Sequence, residues 1–384
     1  MMLYRNLILF VYVFLSLILP FPMKFYWKIL IGCFLAGVSH MYKFYATVGG
    51  ALFSPELPRI VLIIYPWLFG GLFFLSVLCA IKDITLIVAF IFCTIKSLIS
   101  KIVSNTVGNS FRPILFLTSS NMRKQTVYIF TTLALLISMY GIYEAIKIPG
   151  VKTREITIKD LPKELVGLKL IFLPDLHISA LNQRPYAQGV VDKVNALGGD
   201  AILLGGDVID GYVKNRINDV APLGDLKSKY GVFFITGNHE YYSQYVSWRE
   251  HFKKLNFKIL ENQNIILNIN NKKLAIAGTT DKGPDIKKAM EGIPASIPTI
   301  LLEHRPGLAR SNSNYNIDYQ LSGHTHGGMV IGLDRIIAKF NGGFVRGFYD
   351  VNKMKLFVSP GSGLWNGFPI RIGIPSEITV LILK

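Results

Sequence analysis

Cysteine is nearly absent from this chain of 384 residues. Cys33, Cys79 and Cys93 all lie in apolar stretches, and residues 148–384 contain none. That region therefore holds no disulfide framework and no thiolate metal site. Any metal there would rest on His, Asp, Glu or Asn. Charge is also scarce, at 17% of residues against 51% hydrophobic. Disorder is excluded, because it needs low hydrophobicity. Collagen, coiled-coil and disulfide-scaffold compositions are excluded as well. Acidic residues are scarcest at the start: 1–147 carries 12 Lys/Arg and 3 Asp/Glu, whereas 148–384 carries 29 and 21. The net charge of +17 thus divides almost evenly. Neither part is a concentrated nucleic-acid footprint, so no nucleic-acid partner is expected. The modest excess in 148–384 suits anionic substrates, anionic headgroups or plain solubility.

Long apolar runs fill the first part. A spanning helix needs about 20 largely apolar residues. Leu3 to Leu19 is one such run, closed by Pro20 and Pro22, and Phe25 to about Tyr45 is a weaker one. Ile60 to Ile81 and Gln125 to Ile146 are clear. Ile84 to Ile95 is apolar but short; it extends the third helix, lies in the interface or forms a fifth span. Four spans are expected. The first run lacks a small-residue cleavage pattern, which favours an anchor over a signal peptide. The loop from Lys82 to Lys124 is rich in Lys and Arg, and such loops face the cytoplasm. Four spans then place the domain after them outside the cytoplasmic membrane of a bacterium-like cell. No buried charge series marks an ion pathway, and no paired broken helices suggest a transporter. The chain divides into a multi-span membrane domain over 1–147 and a second domain over 148–384.

The second domain alternates short β-forming runs with helical spacing. The runs are Leu168 to Leu173, Ala201 to Leu204, Val232 to Ile235, Lys273 to Ala277, Thr299 to Leu302, Leu356 to Val358 and Ile378 to Leu383. Helical spacing appears at Gln188 to Leu197, at Ser243 to Leu255 and weakly at Lys282 to Met290. Continuous apolar runs of this length suggest strands buried on both faces, and the alternation argues an α/β fold.

Polar clusters recur just past the strand ends, where open α/β sheets hold ligands. They are Pro174-Asp175-Leu176-His177, Gly205-Gly206-Asp207-Val208-Ile209-Asp210, Gly237-Asn238-His239-Glu240, Glu303-His304-Arg305-Pro306 and Gly323-His324-Thr325-His326-Gly327-Gly328. Five of the six histidines after residue 148 fall in these clusters. Core histidines placed at random would not all follow apolar strands beside Gly, Asp and Asn. Imidazole, carboxylate and amide oxygen suit divalent ions of hard to intermediate character. Asp207 can bridge two ions, because a carboxylate can ligate with both oxygens.

In this order and spacing the clusters resemble the calcineurin-like metallophosphoesterase superfamily, over about 150–384. The stretches Gly-Asn-His-Glu-Tyr-Tyr (237–242), Gly-His-Thr-His-Gly-Gly (323–328) and Ser359-Pro-Gly-Ser-Gly-Leu-Trp365 are similar to its membrane-associated bacterial phosphodiesterase branch. Pro174 stands where Ser or Thr is commoner, and Met329 where Gln is common; neither is a ligand position. The resemblance implies two packed β-sheets flanked by helices. It implies two divalent metal ions, with Mn, Fe and Zn all acceptable. One would rest on Asp175, His177, Asp207 and His326, the other on Asp207, Asn238, His304 and His324. His239 would act on the substrate phosphate and leaving group, with attack by a water bridging the ions. Asp210 matches no ligand position, and Glu240 reads as a structural neighbour. Histidine ligands need acceptors behind them, and Asp210, Glu240 and Glu303 are all available. The expected function is a membrane-anchored phosphodiesterase acting on a phosphate ester, such as a phospholipid or lipid-linked compound, with the bilayer as its other partner. The rival is a scaffold on the same fold without catalysis; such scaffolds lose part of the ligand set, and here every position is filled.

Overall fold

The computed structural model describes residues 6–104 and 119–384. The chain forms two compact units, one of residues 1–52 and 63–140, the other of Phe53–Leu62 and Gly141–Lys384.

The first unit is helical. Helix α1 (Leu7–Val13) continues into one wider turn, α2 (Phe25–Ser39) meets α3 (Met41–Val48), and α4 (Arg59–Ser104) and α5 (Ser120–Ile146) follow. Only α4 and α5 are long and apolar enough to cross a membrane among the described residues. The α2–α3 pair, bent by 56° at His40, makes a third if it counts as one span. The Leu7–Ile18 helix is too short, so a fourth span is not shown. The short apolar run at Ile84 to Ile95 extends α4 without a break. Part of the basic loop, including Arg112, lies outside the described residues. Within this unit Ser138 donates to Trp67 O (2.7 Å) and Trp67 Nε1 to Leu135 O (2.9 Å), which ties α4 to α5. The Asp83 carboxylate accepts from Tyr12 (2.8 Å) and Ser16 (2.6 Å) and pairs with Lys82, so this carboxylate is partnered.

The second unit holds two six-stranded sheets. The first comprises β1 (Gly150–Ile156), β2 (Lys169–Leu173), β3 (Ala201–Leu204), β4 (Val232–Phe234), β5 (Lys258–Ile259) and β12 (Glu377–Leu383), in the order β1-β12-β2-β3-β4-β5. The second comprises β6 (Gln263–Ile269), β7 (Lys272–Gly278), β8 (Thr299–Leu302), β9 (Tyr319–Ser322), β10 (Gly347–Val351) and β11 (Met354–Val358), in the order β10-β11-β9-β8-β7-β6. Both are mixed: β2, β3, β4 and β5 run parallel, as do β7, β8, β9 and β11.

Strand alternation explains why the apolar runs are continuous. Leu170 and Phe172 point between the sheets to join Leu203, Phe233, Ile276, Ile300, Leu302 and Leu321 in one core. Ile171 and Leu173 point the other way, against helices α6 (Arg184–Leu197) and α9 (Tyr245–Lys254) through Val190, Val194, Trp248 and Phe252. Helix α7 (Val213–Val220) adds Val220 to that layer, and the short helix α8 (Asn238–Tyr242) follows β4. With both faces covered, both sides of these strands favour apolar residues.

Candidate metal centre

All five clusters lie immediately past the C-terminal ends of parallel strands: β2, β3 and β4 in one sheet, β8 and β9 in the other. Asp175 follows β2 and accepts the His324 backbone N–H on both carboxylate oxygens, at 3.0 and 3.1 Å, so the β9 loop is fastened across to the first sheet. His177 Nε2 faces His326 Nε2 at 3.3 Å, and with Asp175 these three offer converging ligand atoms. Asp207, His304 and His324 form a second such group. Asp207 Oδ2 lies 3.2 Å from His304 Nε2, 3.8 Å from His177 Nε2 and 4.0 Å from His239 Nε2. Its other oxygen accepts the His239 backbone N–H at 2.8 Å. Asn238 is buried beside it. The structure thus brings Asp175, His177, Asp207, Asn238, His239, His304, His324 and His326 into one compact region.

The backbone is bent to achieve this. Asp175, His177, Asp207, His324 and His326 all have positive φ, from 47° to 69°. Such conformations are costly for residues with a side chain, and clustering of that strain marks a functional site. Neighbouring glycines make room. A Cβ on Gly237 would lie 2.1 Å from Asp207 Oδ1, and one on Gly323 would lie 2.5 Å from Asp175 Oδ2.

The calcineurin-like phosphoesterase family model matches residues 168–328. A metallophosphoesterase of Campylobacter jejuni is 36% identical over 270 residues, 67% of this chain and 70% of that one. The chain belongs to the calcineurin-like phosphoesterase family. A bovine transmembrane protein with a metallophosphoesterase domain is 34% identical, covering 65% of this chain and 60% of its own. A Helicobacter pylori metallophosphoesterase is 35% identical, covering 63% and 66%. The chain thus spans about 60 to 70% of the length of these curated relatives.

Members of this phosphoesterase family bind a dinuclear metal site, and the residues here fit one. His304 Nδ1 is committed to the Gly205 carbonyl at 2.9 Å, which leaves Nε2 facing the centre. Asn238 Oδ1 is buried without a hydrogen-bond partner, and the contact of His304 Nε2 is with the Asp207 carboxylate. A buried polar atom is rarely left without a partner, and a cation would satisfy Asn238 Oδ1. The electrostatics divide the imidazoles. Burial would lower His304, but Asp207 and Asp175 carry it up to about 10, so this ring must give up its proton to ligate. Burial also opposes a proton on His239, yet Asp210 and Asp207 push it up to about 9. His324 and His326 are held well below the usual range, mainly by burial, with His304 and Arg305 adding to it on one and neighbouring Arg371 on the other. Neutral imidazole is the form that ligates metal.

Among the three acidic neighbours, Asp210 alone meets imidazoles. Its Oδ2 takes His177 Nδ1 at 3.1 Å and its Oδ1 takes His239 Nδ1. Burial would raise Asp210, but those two histidines outweigh it and hold the carboxyl well below the usual range. Glu240 instead accepts three backbone N–H groups, from Asp207 (3.0 Å), Val208 (2.7 Å) and Gly237 (2.7 Å), and so clamps the β3 and β4 loops together. Glu303 accepts from Asn312, away from the imidazoles. Arg371 had no motif to flag it. Fully buried, it donates to the carbonyls of His326 (3.2 Å), Pro360 (2.9 Å) and Gly363 (2.6 Å), which fixes the His326 loop against the C-terminal tail.

Proposed function

We propose that this protein is a membrane-anchored, dinuclear-metal phosphodiesterase. Its membrane domain would occupy 1–147 with four spans, and its catalytic domain 148–384. One ion would rest on Asp175, His177, Asp207 and His326, the second on Asp207, Asn238, His304 and His324. The observation that carries the reading is the placement of Asp207 Oδ2 among three imidazole Nε2 atoms, with Asn238 Oδ1 buried and unpartnered. Two such ions supply a clamp on the phosphoryl group and neutralise charge on the attacking and leaving oxygens. The chain's own residues do the rest. His239 Nδ1 is held by Asp210, so the ring presents Nε2 toward Asp207 and the ligand cluster. Water adds its oxygen to phosphorus and loses one proton to solvent, from which His239 is later reprotonated, and the P–O bond to the leaving group breaks. The leaving oxygen takes the proton from His239 Nε2. Asp210 keeps the His239 ring in one orientation and, through the other oxygen, does the same for His177. The apolar helices and the membrane-protein relative support a phospholipid or lipid-linked ester as substrate.

The full chain, purified in detergent and loaded with Mn, Fe or Zn, should bind two ions per chain and hydrolyse bis(p-nitrophenyl) phosphate. Elemental analysis and nitrophenol release measure both. An absence of metal together with an absence of turnover would overturn the hydrolase reading.

The catalytic domain would face away from the cytoplasm, opposite the basic residues between Lys82 and Lys124. Protease added to intact spheroplasts should then digest it. Full protection until lysis would place it on the cytoplasmic side.

A further inference from the structure

The segment Phe53–Leu62 runs from the loop after α3 into the first turn of α4, far outside the residues that the family model matches, yet it belongs to the same compact unit as the metal-site loops. It is fastened there at several points. Ser54 Oγ donates to Asp210 Oδ1 at 3.1 Å, the carboxylate that holds His177 and His239. Glu56 forms an ion pair with Arg216 of α7, whose other nitrogen meets Asp219 at 2.6 Å. Arg59 Nε donates to Leu181 O at 3.0 Å. Gly211, at φ 97°, makes room for Glu56: a Cβ there would lie 2.5 Å from its Oε1.

This anchoring brings Phe53 to the acid. Its ring lies edge-on to His239 at 6.4 Å between centroids and stacks on Tyr242 at 6.0 Å. Tyr242 in turn lies 5.3 Å from His239. Phe53 remains 41% exposed and Tyr242 55%, so both rings keep open apolar surface beside the group that would protonate the leaving oxygen. Large aromatic faces left open next to a reacting centre are suited to an apolar or aromatic ligand surface.

We propose that Phe53 and Tyr242 line a leaving-group subsite that takes an apolar or aromatic surface next to the scissile oxygen, and that Ser54 and Glu56 hold Phe53 in place. The subsite rests on the reading of the protein as a phosphodiesterase with His239 as its acid. It makes substrate preference depend on a segment supplied from between the apolar helices.

The test uses two diesters of similar leaving-group acidity, methyl phenyl phosphate and methyl 2-naphthyl phosphate, with the full metal-loaded chain in detergent. The wild type should favour the naphthyl ester in kcat/KM. Phe53→Ala should shrink that preference by about three- to tenfold, the size of one aromatic contact, while metal content stays unchanged. Phe53→Tyr should restore it. Phe53→Leu, which keeps bulk without the ring, is the control for folding and should lie between Ala and wild type. An unchanged naphthyl-to-phenyl ratio in both Phe53→Ala and Phe53→Leu would overturn the subsite alone. No turnover of either ester by the wild type would overturn the hydrolase reading and the subsite with it.

Discussion

Asp207→Ala should strip both ions from the protein and reduce hydrolysis to near background. The expectation follows from the position of its carboxylate. Oδ2 lies 3.2 Å from His304 Nε2 and 3.8 Å from His177 Nε2, residues assigned to different ions. Asp175 is grouped with His177 and His326, and Asp210 with His177 and His239. In the proposed arrangement the removal of Asp207 would take one ligand and the shared negative charge from each ion. Catalysis by such a pair contributes several kcal/mol, and each ~1.4 kcal/mol is tenfold, so a loss of ~10³-fold or more is expected. Asp175→Ala is the contrast, because Asp175 belongs to one group only. That variant should keep one ion. Elemental analysis on the two variants, beside a thermal melt, separates a lost bridge from a lost fold. If Asp207→Ala retained two ions, the bridging role would be wrong.

Much of this site was legible because its chemistry is concentrated in short loops behind apolar strands. Leu168 to Leu173 and Ala201 to Leu204 read as buried strands because both of their faces are covered, one by the opposing sheet and one by helices. β9 was not legible. Its sequence Tyr-Gln-Leu-Ser looks polar, yet all four residues are buried, since Gln320 takes Asn312 at 3.1 Å and gives to Ser322 at 3.1 Å. Internal hydrogen bonding of this kind removes the apolar signal while leaving the strand intact. β6 was hidden differently: Gln263–Ile269 alternates exposed and buried positions at a sheet edge, so its apolar content is diluted. The four-span expectation counted apolar runs by length of sequence, whereas the described helices give two candidate spans, or three with the bent α2–α3 pair.

The parts of the site that sequence could not supply all depend on contacts across long chain separations. Asp210 resembled any carboxylate near a motif until its two oxygens were found on two imidazoles, one 33 and the other 29 residues away. Ser54 lies 156 residues from Asp210, in a stretch with no local pattern of its own. Arg371 reaches the His326 carbonyl across 45 residues. Each is identified by what it touches, and no spacing rule predicts such a contact.

His239→Ala should keep most of the metal and lose turnover. His239 follows Asn238 at the start of the short helix α8, and the two side chains have different duties. Asn238 Oδ1 is buried with no partner, as a ligand atom would be, whereas His239 Nδ1 is already bound to Asp210. Removing the imidazole therefore leaves the proposed ligand set complete. It removes the group that gives up a proton as the P–O bond breaks, and the typical loss for such an acid is about 10²–10⁴-fold. Leaving-group chemistry sharpens the test. A nitrophenolate departs without help, so the loss on bis(p-nitrophenyl) phosphate should be smaller than on an unactivated ester. The pH profile gives a second readout. Asp210 and Asp207 hold a proton on His239 against burial, up to about 9. Turnover should fall as pH rises through that group's pKa, which bound cations would bring lower, toward neutrality. In His239→Ala this alkaline limb should vanish. Equal losses on activated and unactivated esters, with the limb retained, would leave His239 as a group that positions the phosphate. Loss of metal would instead move it into the ligand set.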